Sequence, residues 1–65
     1  MSDNDLRQRI KVLKAFYDIP YKDIANYFNM KYNSFHSWLK GYYNFKAYRL
    51  INYYHIIDNI ESLVH

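Results

Sequence analysis

The sequence predicts an all-α fold, a compact bundle of four to five helices in one domain spanning residues 1–65. Three observations predict it. One Gly and one Pro in 65 residues leave few places to break a helix. Apolar residues recur at three- and four-residue spacing along most of the chain. The central stretch from Tyr21 to Gly41 holds two short amphipathic segments on either side of Asn29, a residue type that tolerates positive φ. A chain this short buries only about 60% of its unfolded surface, so its core must be rich. The composition supplies that: 51% hydrophobic and 22% aromatic, with nine Tyr and four Phe.

Helix 1 is expected from about Asp3 to Tyr17. Ser2, Asp3 or Asn4 can cap it, and acids in its first turn suit the dipole. Leu6, Ile10, Leu13 and Tyr17 form one apolar stripe, with Phe16 beside it. Arg7, Lys11 and Lys14 fall on the opposite face, as a solvated surface or as a supplementary phosphate contact.

Helix 2 is expected from Pro20 or Tyr21 to Phe28. Pro20 suits a first turn, where a missing N–H costs nothing. Ile19 and Ile24 stand at the spacing of a hydrophobic staple, and Asp23 lies near the positive end of the dipole. Helix 3 is expected from Lys31 or Tyr32 to Lys40, closed by Gly41 in the left-handed region. Met30 and Phe35 repeat the staple spacing.

A last helix is expected over about 45–63. Leu50, Tyr53 or Tyr54, Ile57, Ile60 and Val64 form its main stripe. Ile56, Ile60 and Leu63 form a second stripe, expected to meet another copy of the chain in a homodimer.

The two central helices carry the functional expectation. Ile24, Ala25 and Phe28 line one face, and Phe35, Trp38 and Leu39 line another, with a tight turn at Asn29 between them. That pattern describes a helix-turn-helix over about 21–41. With Phe35 and Trp38 turned inward, Tyr32, Asn33, His36 and Ser37 lie on the outer side of helix 3. Lys31, Lys40, Tyr42, Tyr43, Asn44 and Lys46 flank it, and Tyr21 and Lys22 open helix 2, where free N–H groups favour an anion.

These residues resemble the helix-turn-helix of phage-repressor-like, Cro-type regulators. The resemblance is carried by Ile24-Ala25, Phe28, Asn29-Met30, Phe35, Trp38 and Gly41, and continues into Leu50, Tyr53, Tyr54 and Ile57. It covers roughly residues 6–58. The sequence departs from that pattern where Pro20 and Lys31 stand at cap positions usually held by Ser or Thr, and in one long last helix. The resemblance implies a lambda-repressor-like fold and a transcriptional regulator of a phage or mobile element, a repressor binding double-stranded DNA as a homodimer on an inverted repeat. The implied base-reading residues are Tyr32, Asn33, His36 and Ser37. The implied phosphate contacts are Tyr21, Lys22, Lys31, Ser34, Lys40, Tyr42, Tyr43, Asn44 and Lys46. The expected location is the bacterial cytoplasm or nucleoid. A narrower form of the reading is an autoregulatory domain, similar to those found with anti-CRISPR proteins.

Charge and composition bound the alternatives. The formal charge of +3 is a mild basic bias. The absence of Cys excludes disulfides and thiolate metal sites. No apolar run approaches the roughly 20 residues of a membrane span, and the acidic start is unlike a signal peptide. His36, His55 and His65 are far apart, and no Gly-rich phosphate loop is present. Ser34 and Ser37 near His36 do not make a nucleophile with its base. No enzyme activity, cofactor, metal or small-molecule substrate is expected. The rival expectation is a small helical protein-binding module, such as a host-factor or anti-CRISPR-type inhibitor, that uses Tyr42, Tyr43, Tyr48, Tyr53 and Tyr54 as anchors.

Overall fold

The computed structural model describes residues 1–64. Among them it is all-helical: α1 (Asp3–Tyr17), α2 (Tyr21–Tyr27), α3 (Tyr32–Leu39) and α4 (Ala47–Val64). No helix among the described residues is long and apolar enough to cross a membrane.

Each boundary has a local cause. The Ser2 hydroxyl accepts the Asp5 N–H at 3.1 Å and caps α1. Pro20 and Lys31 precede α2 and α3 in extended conformation and give no side-chain cap. Both short helices end in the same way. Asn29 stands at φ 57°, with its N–H on Asn26 O at 3.0 Å and the Met30 N–H on Ala25 O at 2.9 Å. Gly41 stands at φ 93°, with its N–H on Trp38 O at 2.9 Å and the Tyr42 N–H on Ser37 O at 3.1 Å. These are paired Schellman closures, which satisfy carbonyls that the helix end would orphan. α1 closes on Asp18, also left-handed at φ 57°, a turn that no sequence signal marked.

Gly41 permits a direct test. A Cβ there would touch nothing within 4 Å, so only the backbone conformation opposes a side chain. Gly41→Ala is expected to destabilise by about 1 kcal/mol from φ strain alone, read as a lower urea midpoint at unchanged m.

The core joins Leu6, Ile10 and Leu13 of α1 to Ile24, Ala25 and Phe28, then to Phe35, Trp38 and Leu39, and to Leu50, Tyr53, Tyr54, Ile57 and Ile60 of α4. Aromatic rings form its centre. Phe28 stacks on Tyr53 at 4.2 Å between centroids and Trp38 on Phe45 at 4.5 Å, while Phe35 meets Phe28 edge-on at 5.7 Å. α1 and α4 run side by side in the same direction. The Ser2 N–H donates to the Tyr54 hydroxyl, which donates in turn to Ser2 O at 2.6 Å. Seven residues on, Arg9 pairs with Asp58 and Glu61. Its hydrogen bond to Glu61, ahead of the one to Asp58, raises the guanidinium above its ordinary pKa despite partial desolvation.

Four expectations are corrected. Arg7, assigned to the outer face of helix 1, is buried at 7% exposure. Tyr17, assigned to the buried stripe, is exposed, in the last turn of α1. α4 starts at Ala47 rather than 45 or 46, because Phe45 is held outside the helix: its N–H donates to Asp3 and its ring stacks on Trp38. Tyr53 and Tyr54 lie in the core, which removes them from any exposed tyrosine patch.

Candidate nucleic-acid interface

The orientation of α3 follows from its buried side. Phe35 and Trp38 are fully enclosed and Leu39 nearly so. At 100° per residue, Asn33 and Lys40 project about 170° from the midpoint of those two rings, His36 and Ser37 about 130°, and Tyr32 only about 90°. Asn33 and Lys40 are exposed, and His36 and Ser37 half-buried. Tyr32 is exposed at the flank, with its ring 5.5 Å from that of His36 one turn on. So Asn33 is the most outward of the four predicted reading residues, and Tyr32 is a rim residue beside them.

The predicted flanking residues divide into two groups. Lys22, Lys31, Lys40 and Lys46 are exposed, and no ion pair among the described residues involves them. Tyr42 is exposed and stands three residues past the end of α3. Ser34 is exposed, and only its carbonyl is engaged; Tyr21, Tyr43 and Asn44 are engaged within the chain. Tyr43 donates its hydroxyl to Ser34 O at 2.7 Å, and burial pushes its phenol above the usual range, which keeps the donor proton in place. Asn44 Oδ1 accepts from Arg7 at 2.9 Å. The Tyr21 ring lies 6.3 Å from Phe35 and beneath the Lys14 ammonium at 5.2 Å. At the start of α2 the Asp23 and Ile24 N–H groups are already taken by Pro20 O. Tyr21, Tyr43 and Asn44 therefore shape the surface more than they extend from it.

Lys14, Asp18, Pro20, Tyr21, Lys22 and Tyr32 line an open groove between the end of α1 and the starts of α2 and α3. The basic stripe read on helix 1 is thus split. Arg7 enters the core, Lys14 covers Tyr21 beside the groove, and Lys11 stays in solvent.

The predicted dimer stripe is not continuous. Ile60 belongs to the chain's own core at 5% exposure and Ile56 is half-buried, so only Leu63 projects into solvent. Ile60 is part of the chain's own core, so that position of the second stripe serves the fold.

Sequence reading missed Asp3, Arg7 and Arg49. Asp3 Oδ2 accepts the Trp38 indole N–H at 2.8 Å and the Phe45 N–H at 2.9 Å. Arg49 donates to the Tyr53 hydroxyl at 2.8 Å, and this hydrogen bond raises its pKa above the ordinary value. Each of these bonds needs a partner placed by the fold, except the one-turn pair of Arg49 and Tyr53, which spacing alone can reveal. Among the described residues no group of three or more His, Cys, Asp or Glu side chains is placed to hold a metal ion.

Comparison of the chain with protein-family models, with curated proteins and with solved structures gave no match in any of the three. The functional reading therefore rests on the geometry above.

Proposed function

We propose that this chain is a sequence-specific DNA-binding transcriptional regulator, a repressor or autoregulator of a phage or mobile element. In this reading α2, the Asn29 turn and α3 form a helix-turn-helix, and the outer side of α3 enters the major groove. One observation carries the reading: Phe35 and Trp38 are fully buried while Asn33 and Lys40 point the other way, and Lys22, Lys31, Lys40 and Lys46 are exposed with no carboxylate paired to them among the described residues. Asn33 offers an amide that can pair bidentately with adenine, and Ser37 and His36 reach neighbouring base edges. Lys22, Lys31, Lys40 and Lys46 contact phosphates and set the register. Two copies on an inverted repeat would place their reading helices about one helical turn, or a multiple, apart.

Selection of bound sequences from a random duplex pool gives the operator. On that operator, Asn33→Ala is expected to lose about 1–3 kcal/mol and to relax preference at one base pair. Parental affinity and parental preference in that variant would remove α3 from the groove.

A second reading, a protein-binding module, is favoured by the strong exposure of Tyr42 and Tyr48, at 76% and 71%. Titration against salt separates the two: DNA binding weakens steeply, whereas a contact anchored by tyrosines hardly responds.

A further inference from the structure

The first turns of α1 hold the far end of α3. Arg7 lies across that end with its Nε–H on Trp38 O at 2.7 Å and its Nη2–H groups on Tyr43 O at 2.8 Å and Asn44 Oδ1 at 2.9 Å. Its Nη1–H donates to Asn4 Oδ1 at 2.8 Å, and its guanidinium carbon sits 4.9 Å from the Trp38 ring centroid. Asp3 completes the clasp by accepting from the Trp38 indole and from the Phe45 backbone. One carboxylate and one guanidinium thus tie α1 to the last turn of α3 and to residues 43–45 of the loop that follows.

Stability alone does not account for this arrangement. Arg7 forms no ion pair among the described residues. Its charge faces the carbonyl end of α3, where the dipole favours a cation, but burying a cation is costly and an apolar side chain of similar volume often serves a core as well. What an apolar side chain lacks is direction. The planar fork fixes three acceptors at once, one on α3 and two on the loop. Lys40, Tyr42 and Lys46 all stand on the segment so fixed.

We propose that Asp3 and Arg7 are positioning residues for DNA binding: they touch no DNA, and they set the angle of α3 and the path of the loop that carries Tyr42 and Lys46. This inference rests on the DNA-binding reading.

The test compares Asp3→Asn and Arg7→Lys with the parent chain on the selected operator, across a salt series, at a temperature where circular dichroism shows each protein fully folded. Arg7→Lys keeps the charge and loses the fork. Asp3→Asn keeps the shape in the first turn of α1, and so supplies a variant that folds if the buried one does not. The expected result is about tenfold weaker binding, 1.4 kcal/mol, by the folded variant at an unchanged salt slope. Faster hydrogen exchange at the Phe45 amide and a shifted emission of Trp38, the one Trp in the chain, accompany it. A purely structural role lowers the melting temperature and leaves the affinity of the folded molecules intact, and that result overturns the inference. So does unchanged Phe45 exchange in Asp3→Asn, and so does a slope smaller by about 0.9 in Arg7→Gln, which removes the charge and would thereby mark a phosphate contact. A parent chain that leaves DNA free overturns the DNA-binding reading and removes this inference with it; parental binding with an unaffected Asp3→Asn variant overturns this inference alone.

Discussion

Trp38→Ala is expected to leave the chain without a cooperative folding transition at 25 °C. The ring is fully buried, stacks on Phe45, packs against Phe35 and lies under the Arg7 guanidinium. Truncating a buried Trp costs about 3–5 kcal/mol through lost transfer free energy and the cavity left behind. A single core in a chain of this size supplies little more than about 3–5 kcal/mol in total. The substitution also strips Asp3 of its indole donor and leaves Arg7 facing a void. Far-UV circular dichroism against urea reads the result. A cooperative transition within about 1 kcal/mol of the parent would show that the core collapses around the gap and that α3 is held by its other contacts.

Neutralising Lys22, Lys31, Lys40 and Lys46 together is expected to remove most of the salt dependence of DNA binding. Each lysine that neutralises a phosphate contributes about −0.9 to the slope of log K against log salt. Four contacts give a slope of about −3.6, so a fourfold rise in salt weakens the parent about 150-fold. All four side chains are exposed, and none is in an ion pair among the described residues. Their replacement by Gln is therefore expected to leave the melting temperature almost unchanged. A variant that keeps the parental slope would place the phosphate contacts elsewhere, with the exposed Lys11 and Lys14 the next cations to replace. A parent whose binding partner is held with no salt dependence would favour the protein-binding reading instead.

Much of the fold was legible because its signals are local. Pro20, Asn29 and Gly41 punctuate the chain where the backbone needs a fixed φ or a positive one, and α1, α2 and α3 start and stop within a residue or so of the places those signals predict. The inward set of α2 and α3 was legible for the same reason: in helices this short, three apolar residues leave one possible inner face. Asp18 escaped notice because an Asp in the left-handed region has no marker that separates it from an Asp on a helix surface.

The outward direction of Asn33 was likewise legible, since it follows from Phe35 and Trp38 by helical geometry alone. The supporting half of the site was not. Arg7 was assigned to the outer face, yet at 100° per residue it stands only about 90° from the centre of the Leu6, Ile10, Leu13 and Tyr17 stripe, at the margin of the apolar arc. Its fate depends on the carbonyls of residues 38 and 43, more than 30 residues away. Ile60 shows the opposite error. Its spacing with Ile56 and Leu63 describes an apolar stripe, but whether another part of the same chain covers a stripe is not a property of its spacing.

By itself the sequence determined where the helices run, how they are punctuated and which side of α3 faces outward. Those features depend on residues within one or two turns of each other. Only the tertiary structure decided that Arg7 and Asp3 clasp the end of α3, that Phe45 leaves α4 to stack on Trp38, and that Ile60 is spent inside the chain. Each of these is a contact between distant segments, and periodicity along one helix carries no information about the partner across from it.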